Sequence, residues 1–479
     1  MKERIKFKKP IRAASGITVV AIMTKPFPCP HGKCIYCPGG PEYGTPQSYL
    51  EDSPAAARAI FCNFDPYEQV RTRLMQYVAM GHTPSKIELI IMGGTFSALP
   101  LDYQEWFVTM ALEAMNRFPK PKPRRWISLE KAQKRNEKAR IRCIGITFET
   151  RPDWAKENHI DIMLRLGGTR VEIGIQSIYD DVLQRVMRGH TVKDTIEATQ
   201  LLKDAGFKVC YHIMPGLPGS DLDRDFEMFK TIFEDPNFRP DMLKIYPTLV
   251  IPGTRLYELW KRGEYRALTT EEVLELLLKV APLIPKWVRI MRIQRDIPLH
   301  HVIAGVDIGN LRQVFEQMII ERGIEYREIR FREVGIRMVK YGQVPDIHNI
   351  KLLREDYEAS GGIEVFLSFE DVKKDILIGF LRLRIPSEKA HRWEVKGKTA
   401  IIRELHIYGP QVPIGKRYDT AWQHKGFGKR LVLEAERIAK EEFDMRRMLI
   451  ISGIGVRDYY RRLGYRLHPH STYMLKRLD

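Results

Sequence analysis

The sequence predicts an α/β chain of two parts: a partial (βα)6 TIM-like barrel, then a smaller α/β domain with antiparallel strands. Three observations predict it. Six short β-branched runs recur through the first two-thirds, separated by amphipathic stretches, the pattern of parallel strands covered by helices. The segments GGT, FETRPD, QS and PGLPG close four of those runs, at the strand ends where an α/β barrel carries its chemistry. From about residue 361 the runs instead follow one another across a short charged turn, as antiparallel strands do. The boundaries drawn from these shifts are 1–280 for the barrel, 281–345 for a basic connecting segment and 346–479 for the second domain.

The barrel strands are predicted in order as ITVVAIMT (17–24), IELIIMGGT (87–95), IRCIGITFET (141–150), RVEIGIQS (170–177), KVCYHIMPGLPG (208–219) and MLKIYPTLV (242–250). Helical periodicity fills the gaps, as in DPYEQVRTRLMQYVAMGH and VKDTIEATQLLKDAGF. The connecting segment carries two strand-like runs, WVRIMRIQRD and YREIRFREVGIR. The second domain follows with IEVFLSFED, ILIGFLRLRIP and AIIRELHIYG, a helix starting near Gly428, and the strand MLIISGI.

Bulk properties narrow the class. With 44% hydrophobic and 29% charged residues over 479 positions, the balance is that of a globular protein. No run of some eighteen apolar residues occurs, so no membrane span is expected. The N-terminus lacks a signal core, which predicts a cytoplasmic protein. The six cysteines are few and clumped, against a disulfide framework. A net charge of +18 points to a polyanionic partner, nucleic acid above all. Basic clusters sharpen this reading. Lys120–Arg142 holds ten basic residues against two acidic ones, and Pro285–Asp296 sets Lys286, Arg289, Arg292 and Arg295 around Trp287 and Met291. Arg312, Arg322, Arg327, Arg330, Arg332 and Arg337 follow; basic groups among aromatics suit phosphate contact and base stacking.

The densest signal is FPCPHGKCIYCPGG, where Cys29, Cys34 and Cys37 form C-x4-C-x2-C on the loop after the first strand. Thiolates are soft ligands for zinc or for iron–sulfur clusters. Zinc would need a fourth ligand, and His31 inside the loop is the nearest. Three thiols alone suit a [4Fe–4S] cluster with one iron left open. Cys143 and Cys210 lie in apolar runs and are expected to be core residues, and Cys62 is isolated.

The loop resembles that of radical SAM proteins, with Tyr36 as the aromatic before the last cysteine, although their usual first gap is one residue shorter. VVAIMTKPFPCPHGKCIYCPGGP is similar as a whole to the signature of the Elongator catalytic-subunit family, which tolerates that gap. So are MGGTFSALP, GITFETRPDW, VEIGIQS, HIMPGLPGS, KIYPTLVIPGT, RIQRDIP and REVGIR, in order along essentially the entire chain. The resemblance implies that Cys29, Cys34 and Cys37 hold a [4Fe–4S] cluster whose open iron takes S-adenosylmethionine (SAM). It implies that Gly93, Gly94 and Thr95 approach the SAM amino group, and that Glu149 and Gln176 bind its ribose or methionine moiety.

QHKGFGKRL (423–431) resembles the acyl-CoA loop Q/R-x-x-G-x-G/A of GNAT acetyltransferases. Backbone N–H groups from Lys425 through Gly426, Phe427 and Gly428 to Lys429 would open a helix and bind the CoA pyrophosphate together with Gln423. VRDYYRRLGY resembles the Y-x-x-x-G-Y end of such domains. By this resemblance Glu404, Leu405, His406 and Ile407 pair with the pantetheine, and Tyr460 reaches the thioester sulfur, with Tyr459 the core member of the pair. Lys86 corresponds to a barrel lysine that contacts acetyl-CoA, and Tyr460 and Lys86 are the expected catalytic pair.

Some family members carry zinc near REVG; here EYREIRFREVG has no cysteine, and His300 and His301 alone make a poor site, so no zinc is expected. The family's basic N-terminal extension is expected to be short here, which bears on tRNA affinity. The implied activity is C5 carboxymethylation of the tRNA wobble uridine (uridine 34): a SAM-derived 5′-deoxyadenosyl radical activates the methyl of acetyl-CoA, and thioester hydrolysis completes the product. The implied partners are the tRNA anticodon stem-loop and other Elongator-type subunits, with no membrane. The rival reading is a protein lysine N-acetyltransferase with a structural metal domain, for which Glu404 is the candidate base. A third is an RNA-binding scaffold with vestigial sites.

Overall fold

The computed structural model describes residues 14–125, 127–410, 422–469 and 471–478. The basic leader, part of the span read as the barrel domain, lies outside the described residues.

Seven strands form the first sheet: β1 (Thr18–Met23), β2 (Lys86–Met92), β3 (Arg142–Thr150), β4 (Arg170–Gln176), β5 (Lys208–Ile213), β6 (Met242–Ile245) and β7 (Arg289–Ile293). They lie side by side in chain order, all parallel. The six runs read from sequence are all present. The seventh, WVRIMRIQRD, was expected in the connecting segment and instead pairs with β6, Met242 against Arg289. Its buried Val288, Ile290 and Ile293 complete the apolar layer, so the boundary at 280 falls inside the sheet. Among the described residues no pairing joins β1 to β7, and the barrel stays open along that seam.

The helices sit where capping chemistry starts them. Asp65 accepts from the Glu68 amide (3.1 Å) ahead of Pro66–Ala79, and Thr191 forms a capping box with Asp194 ahead of Val192–Asp204. Their apolar faces cover the sheet, with Phe148 of β3 stacked on Phe96 at 4.8 Å.

YREIRFREVGIR was read as strand-like and is helical, Ile329–Arg332 and then Val334–Tyr341. Glu328 decides this, since its carboxylate accepts from the amides of Arg330 (2.8 Å) and Phe331 (2.7 Å) and opens the first turn. The basic residues around it are less available to a polyanion than their number suggested. Arg289 pairs with Glu333 at 2.5 Å, Arg332 with Glu370 at 2.7 Å, and Arg312 with Glu316 at 3.2 Å, all away from solvent.

The second domain is a seven-stranded sheet of β8 (Ile350–Ala359), β9 (Gly362–Asp371), β10 (Ile376–Ile385), β11 (Thr399–Ile407), β12 (Arg447–Ile450), β13 (Arg466–Leu467) and β14 (Met474–Arg477). Its order is β13-β14-β12-β11-β10-β9-β8, with helix Phe427–Glu441 on β10 and β11. β11 and β12 are parallel but pair only from Thr399 to Ile402, so among the described residues 404–407 have no strand partner on that side.

This domain docks beneath the barrel, against the N-terminal ends of its strands. Asp241, just before β6, accepts from Arg403 at 2.6 and 2.9 Å, and Arg384 bonds Asp204 at 2.6 Å; all four are fully buried. Tyr473 donates to the Ala205 carbonyl (2.7 Å). Gly453 lies so close to β3 that a Cβ there would sit 1.9 Å from the Ile144 oxygen.

Candidate functional site

The cysteine loop rises from the C-terminal end of β1. Backbone bonds pin it: the Ile35 amide to the Val186 carbonyl (3.2 Å) and the Leu256 amide to the Ile35 carbonyl (2.8 Å). Cys34 and Cys37 are buried and Cys29 is partly exposed. Cys37 Sγ meets Ser48 Oγ at 3.1 Å and the Gln47 amide nitrogen at 3.6 Å. Cys34 Sγ meets His31 Nε2 at 3.1 Å and Arg188 Nη1 at 3.8 Å. Burial pushes the Cys29 thiol up and the Cys37 thiol up to about 11, with the neighbouring Cys34 adding to the latter. Such thiols ionise readily only against a strong local cation, which a metal supplies.

One tetrahedral zinc, with Zn–S near 2.3 Å, gathers its sulfurs within about 4.6 Å of one another. Among the described residues two groups of ligand atoms lie within 4.8 Å, Asp52–His300–His301 and Glu172–Cys210–His212, and neither includes the loop cysteines. Three thiols on one loop, two of them buried, fit a multi-iron cluster with one iron left open. His300 and His301 both approach Asp52 Oδ2, at 2.9 and 2.8 Å, beside the barrel mouth and away from the connecting helices.

Below the loop lies a cavity of about 380 Å³, lined by the three cysteines together with Gly94, Thr95, Glu149 and Gln176. Gly94 has φ +92°, and a Cβ there would meet Cys29 Sγ and the Gln47 carbonyl at 3.8 Å, so the backbone itself forms that wall. Gly93 belongs one layer out, where a Cβ would strike Thr24 Oγ1 at 2.1 Å. Glu149 accepts from the Tyr49 hydroxyl (2.7 Å) and faces Lys244 at 3.6 Å, while the adjacent Arg151 bonds Asp153 instead. Gln176 sits at φ +67°, and its buried Oε1 has no hydrogen-bond partner. A buried acceptor without a donor is costly unless a ligand supplies one. Together with the bare Gly94 wall, it makes these residues fit a SAM-bearing cluster.

Sequence reasoning missed the charged lining. Arg188 is buried with Nη2 on the Gly174 carbonyl (2.6 Å). Lys244 bridges Glu172 and Glu149, and His212 bonds Glu172 at 2.9 Å. Burial opposes the charge on Glu172, but Lys244, His212 and Arg170 hold its carboxyl well below the usual range. A lone lysine inside the apolar run MLKIY was the available signal.

The second cluster lies at the opposite end of the barrel. Gly426, at φ +82°, caps helix Phe427–Glu441, whose first-turn amides have no partner within the helix and no side-chain cap among the described residues. The Phe427 ring is buried against Phe369 (4.8 Å), so this residue can offer a ligand its main chain only. Lys425 and Lys429 are exposed. Lys86, at the foot of β2, reaches Gln423 at 3.5 Å, and burial lowers its ammonium pKa. Leu405, His406 and Ile407 are half-buried on the unpaired flank of β11. Glu404 accepts from Arg382 at 2.9 Å; burial alone would raise it, but Arg382 and Lys208 hold it below its ordinary value. Tyr460 is 6% exposed among Tyr459 and Tyr465, whereas half-buried Tyr459 brings its hydroxyl to 2.8 Å from where a Cβ on Gly428 would sit. Of the pair, Tyr459 is the one the fold sets against the glycine loop.

Comparison with known proteins agrees with this division. Residues 26–232 match the Radical SAM superfamily, 240–321 the Radical SAM C-terminal domain, and 338–465 the Acetyltransferase (GNAT) family. The tRNA uridine(34) acetyltransferase of Methanocaldococcus jannaschii is 54% identical over 462 residues, covering 96% of this chain and 84% of the relative. Elongator complex protein 3 of Homo sapiens is 48% identical over 478 residues, covering 98% and 86%. The structure of archaeal Methanocaldococcus infernus Elp3 with an N-terminal deletion superposes with a TM-score of 0.84 at 49% identity, covering 97% of this chain and 99% of that one.

Proposed function

The chain belongs to the Elongator complex protein 3 family, and from that membership we propose that it converts the wobble uridine of tRNA to a C5-carboxymethyl form, using SAM and acetyl-CoA. It is an acyltransferase that joins a radical SAM domain to a GNAT domain. One observation carries the reading: a single barrel sets three thiols and the orphaned Gln176 amide at one end and Lys86, touching the glycine loop, at the other.

Cys29, Cys34 and Cys37 would hold the [4Fe–4S] cluster, and Gly94, Thr95, Glu149 and Gln176 would hold SAM. When bound, these groups supply a carbon radical able to take hydrogen from an unactivated methyl group. The remaining work falls to the chain. Arg188 places a buried guanidinium 3.8 Å from Cys34 Sγ and so orients that side of the loop. The amides of 426–429 take the CoA pyrophosphate, while that of Lys425 is spent on the Trp422 carbonyl (3.3 Å), and the free flank of Glu404–Ile407 pairs with the pantetheine. Arg292, Arg295 and Arg330 line the upper cavity. Arg330 is crowded by Arg312, buried, and crowded again by Arg289, which lowers it to about 10. Arginines along the cavity wall suit an anion, and the phosphates flanking an unstacked loop nucleotide supply one.

A lysine N-acetyltransferase reading meets a specific obstacle: its candidate base, Glu404, is engaged by Arg382 at 2.9 Å, and that pairing lowers its affinity for a proton. The test is anaerobic incubation of the reconstituted full chain with tRNA, SAM, reductant and acetyl-CoA, followed by nucleoside mass spectrometry. The expected product is C5-carboxymethyluridine, lost when Cys29, Cys34 and Cys37 are all alanine. Acetylation of lysine peptides at a rate indifferent to tRNA would overturn the reading.

A further inference from the structure

Two histidines alone make a poor metal site, but folding brings His300 and His301 a third ligand. We propose that Asp52, His300 and His301 form a zinc clasp that closes the roof of the barrel across its open seam. The site is separate from the cysteine trio and goes beyond the proposed function.

The barrel sheet runs from β1 to β7, and among the described residues no strand pairing joins those two edges. The loop that follows β1 carries the cysteines and then Asp52, just ahead of helix Pro54–Phe61. The chain leaving β7 runs through Asp296 and Ile297 into the short turn Leu299–His301. Asp52 and the two histidines therefore belong to opposite flanks of the seam, beyond the C-terminal ends of the strands. Ser48 and Tyr49 of the first flank line the cysteine cavity, as do Arg295, Asp296 and Ile297 of the second. One bridge is already made there, Arg295 Nη2 on the Ser48 carbonyl at 2.7 Å. The histidines and Asp52 make another.

Their geometry is that of a ligand set. His300 Nε2 and His301 Nε2 lie 2.9 and 2.8 Å from the same oxygen, Asp52 Oδ2, and the three ligand atoms fall within 4.8 Å of one another. Successive side chains of a 3-10 turn project about 120° apart. Here the neighbouring rings instead stand with centroids 4.2 Å apart and planes at 42°. Two imidazolium charges would oppose each other at that distance, whereas neutral rings would not, and neutral imidazole is the ligand form. Zinc takes nitrogen and carboxylate oxygen at about 2.0–2.2 Å, so its tetrahedral ligand atoms stand about 3.4 Å apart. Each imidazole need recede from Asp52 Oδ2 by only about 0.5 Å to admit the ion. Side chains that are 69%, 33% and 36% exposed have room to do so.

The donor set selects the ion. Calcium and magnesium want six or more oxygens. Two imidazoles and one carboxylate are a three-residue zinc set, with water in the fourth position. What the ion adds is restraint. His301 and Asp52 are 249 positions apart in the chain, and a clip across so long a loop ties two flanks that no strand ladder joins.

Zinc binding by the full chain tests the clasp. The protein is first reconstituted with its [4Fe–4S] cluster, so that Cys29, Cys34 and Cys37 are occupied. It is then dialysed anaerobically against a chelator and afterwards against micromolar zinc. Metal analysis should find a single zinc per chain alongside the cluster iron. The double variant His300→Ala/His301→Ala should lose it. Asp52→Asn, which keeps the size but offers only a neutral oxygen, should bind at least about tenfold more weakly, with iron content unchanged in both variants. X-ray absorption at the zinc edge should show nitrogen and oxygen at about 2.0–2.2 Å and no sulfur near 2.3 Å. A sulfur shell would put the ion on the cysteine loop, and zinc retained by the double variant would make it an adventitious ion only; either result overturns the clasp. A wild-type chain that binds no zinc overturns it as well. None of these measurements follows uridine, so the clasp can fall while the proposed function stands.

Discussion

Asp241→Asn is the sharpest test of how the two domains are joined. The residue belongs to a buried cluster of four cations, Lys203, Arg382, Arg384 and Arg403, against four anions, Asp204, Asp241, Glu364 and Glu404. Asparagine keeps the shape and can still accept from the Val209 amide (2.8 Å). It removes the charge that Arg403 grips twice, at 2.6 and 2.9 Å, and that Lys203 faces at 3.5 Å. Removing one partner of a buried ion pair costs about 3–5 kcal/mol, because the remaining charge stays desolvated. At 1.4 kcal/mol per decade, that weakens docking roughly a hundred- to a few-thousandfold. Burial pushes Lys203 down to about 8, and without Asp241 it falls further. The variant's folded form then sheds that proton first, so the penalty shrinks as pH rises toward 8. Urea unfolding followed by circular dichroism reads the loss as a lower midpoint at unchanged slope. Asp444→Asn, at the fully exposed pair with Lys398, should move nothing measurable. A shift for Asp241→Asn worth under about 1 kcal/mol at pH 7 would refute the reasoning, since only solvated pairs are worth so little.

Other outcomes follow from the same geometry. Burial raises Asp225 to about 6, so between its ordinary value near 3.8 and 6 the folded chain holds the extra proton and stability falls as pH rises. Asp225→Asn should remove that fall, about 3 kcal/mol at 1.36 kcal/mol per pH unit, leaving the difference from wild type flat above pH 6 in urea midpoints. Gln176→Leu deletes the orphaned acceptor and should weaken SAM binding by about 1 kcal/mol, several-fold by equilibrium dialysis, at unchanged iron content. Lys86→Met should weaken acetyl-CoA binding by about 1.5–3 kcal/mol, read by calorimetry, because a charge-assisted contact is lost. Equal affinities in either variant would remove that residue from its site.

Much of this was legible in the sequence because it is local. The six β-branched runs, the cysteine spacing and the QHKGFGKRL loop all act through neighbours in the chain. What was missed depends on distant partners. β7 is only five residues long with two arginines among them, and it counts as a strand because β6 offers it an edge. β8 alternates charged and apolar residues too weakly to stand out, yet it pairs with β9 along ten positions. The helix at Ile329 overrode a strand-like alternation because Glu328 capped it. Composition showed a surplus of arginine but not that Arg289, Arg332 and Arg403 spend their charge inside the molecule. Tyr459 and Tyr460 are adjacent, and only the turn of helix Arg457–Arg461 decides which one faces the loop.

Docking the second domain under the strands' N-terminal ends gives the enzyme two doors. On the proposed function, a nucleotide carrier would exchange through the floor and a folded polymer would be gripped at the roof, so that neither would block the other's exit. Steady-state kinetics should then give intersecting lines with no obligatory order, and spent CoA should leave while the tRNA remains clamped.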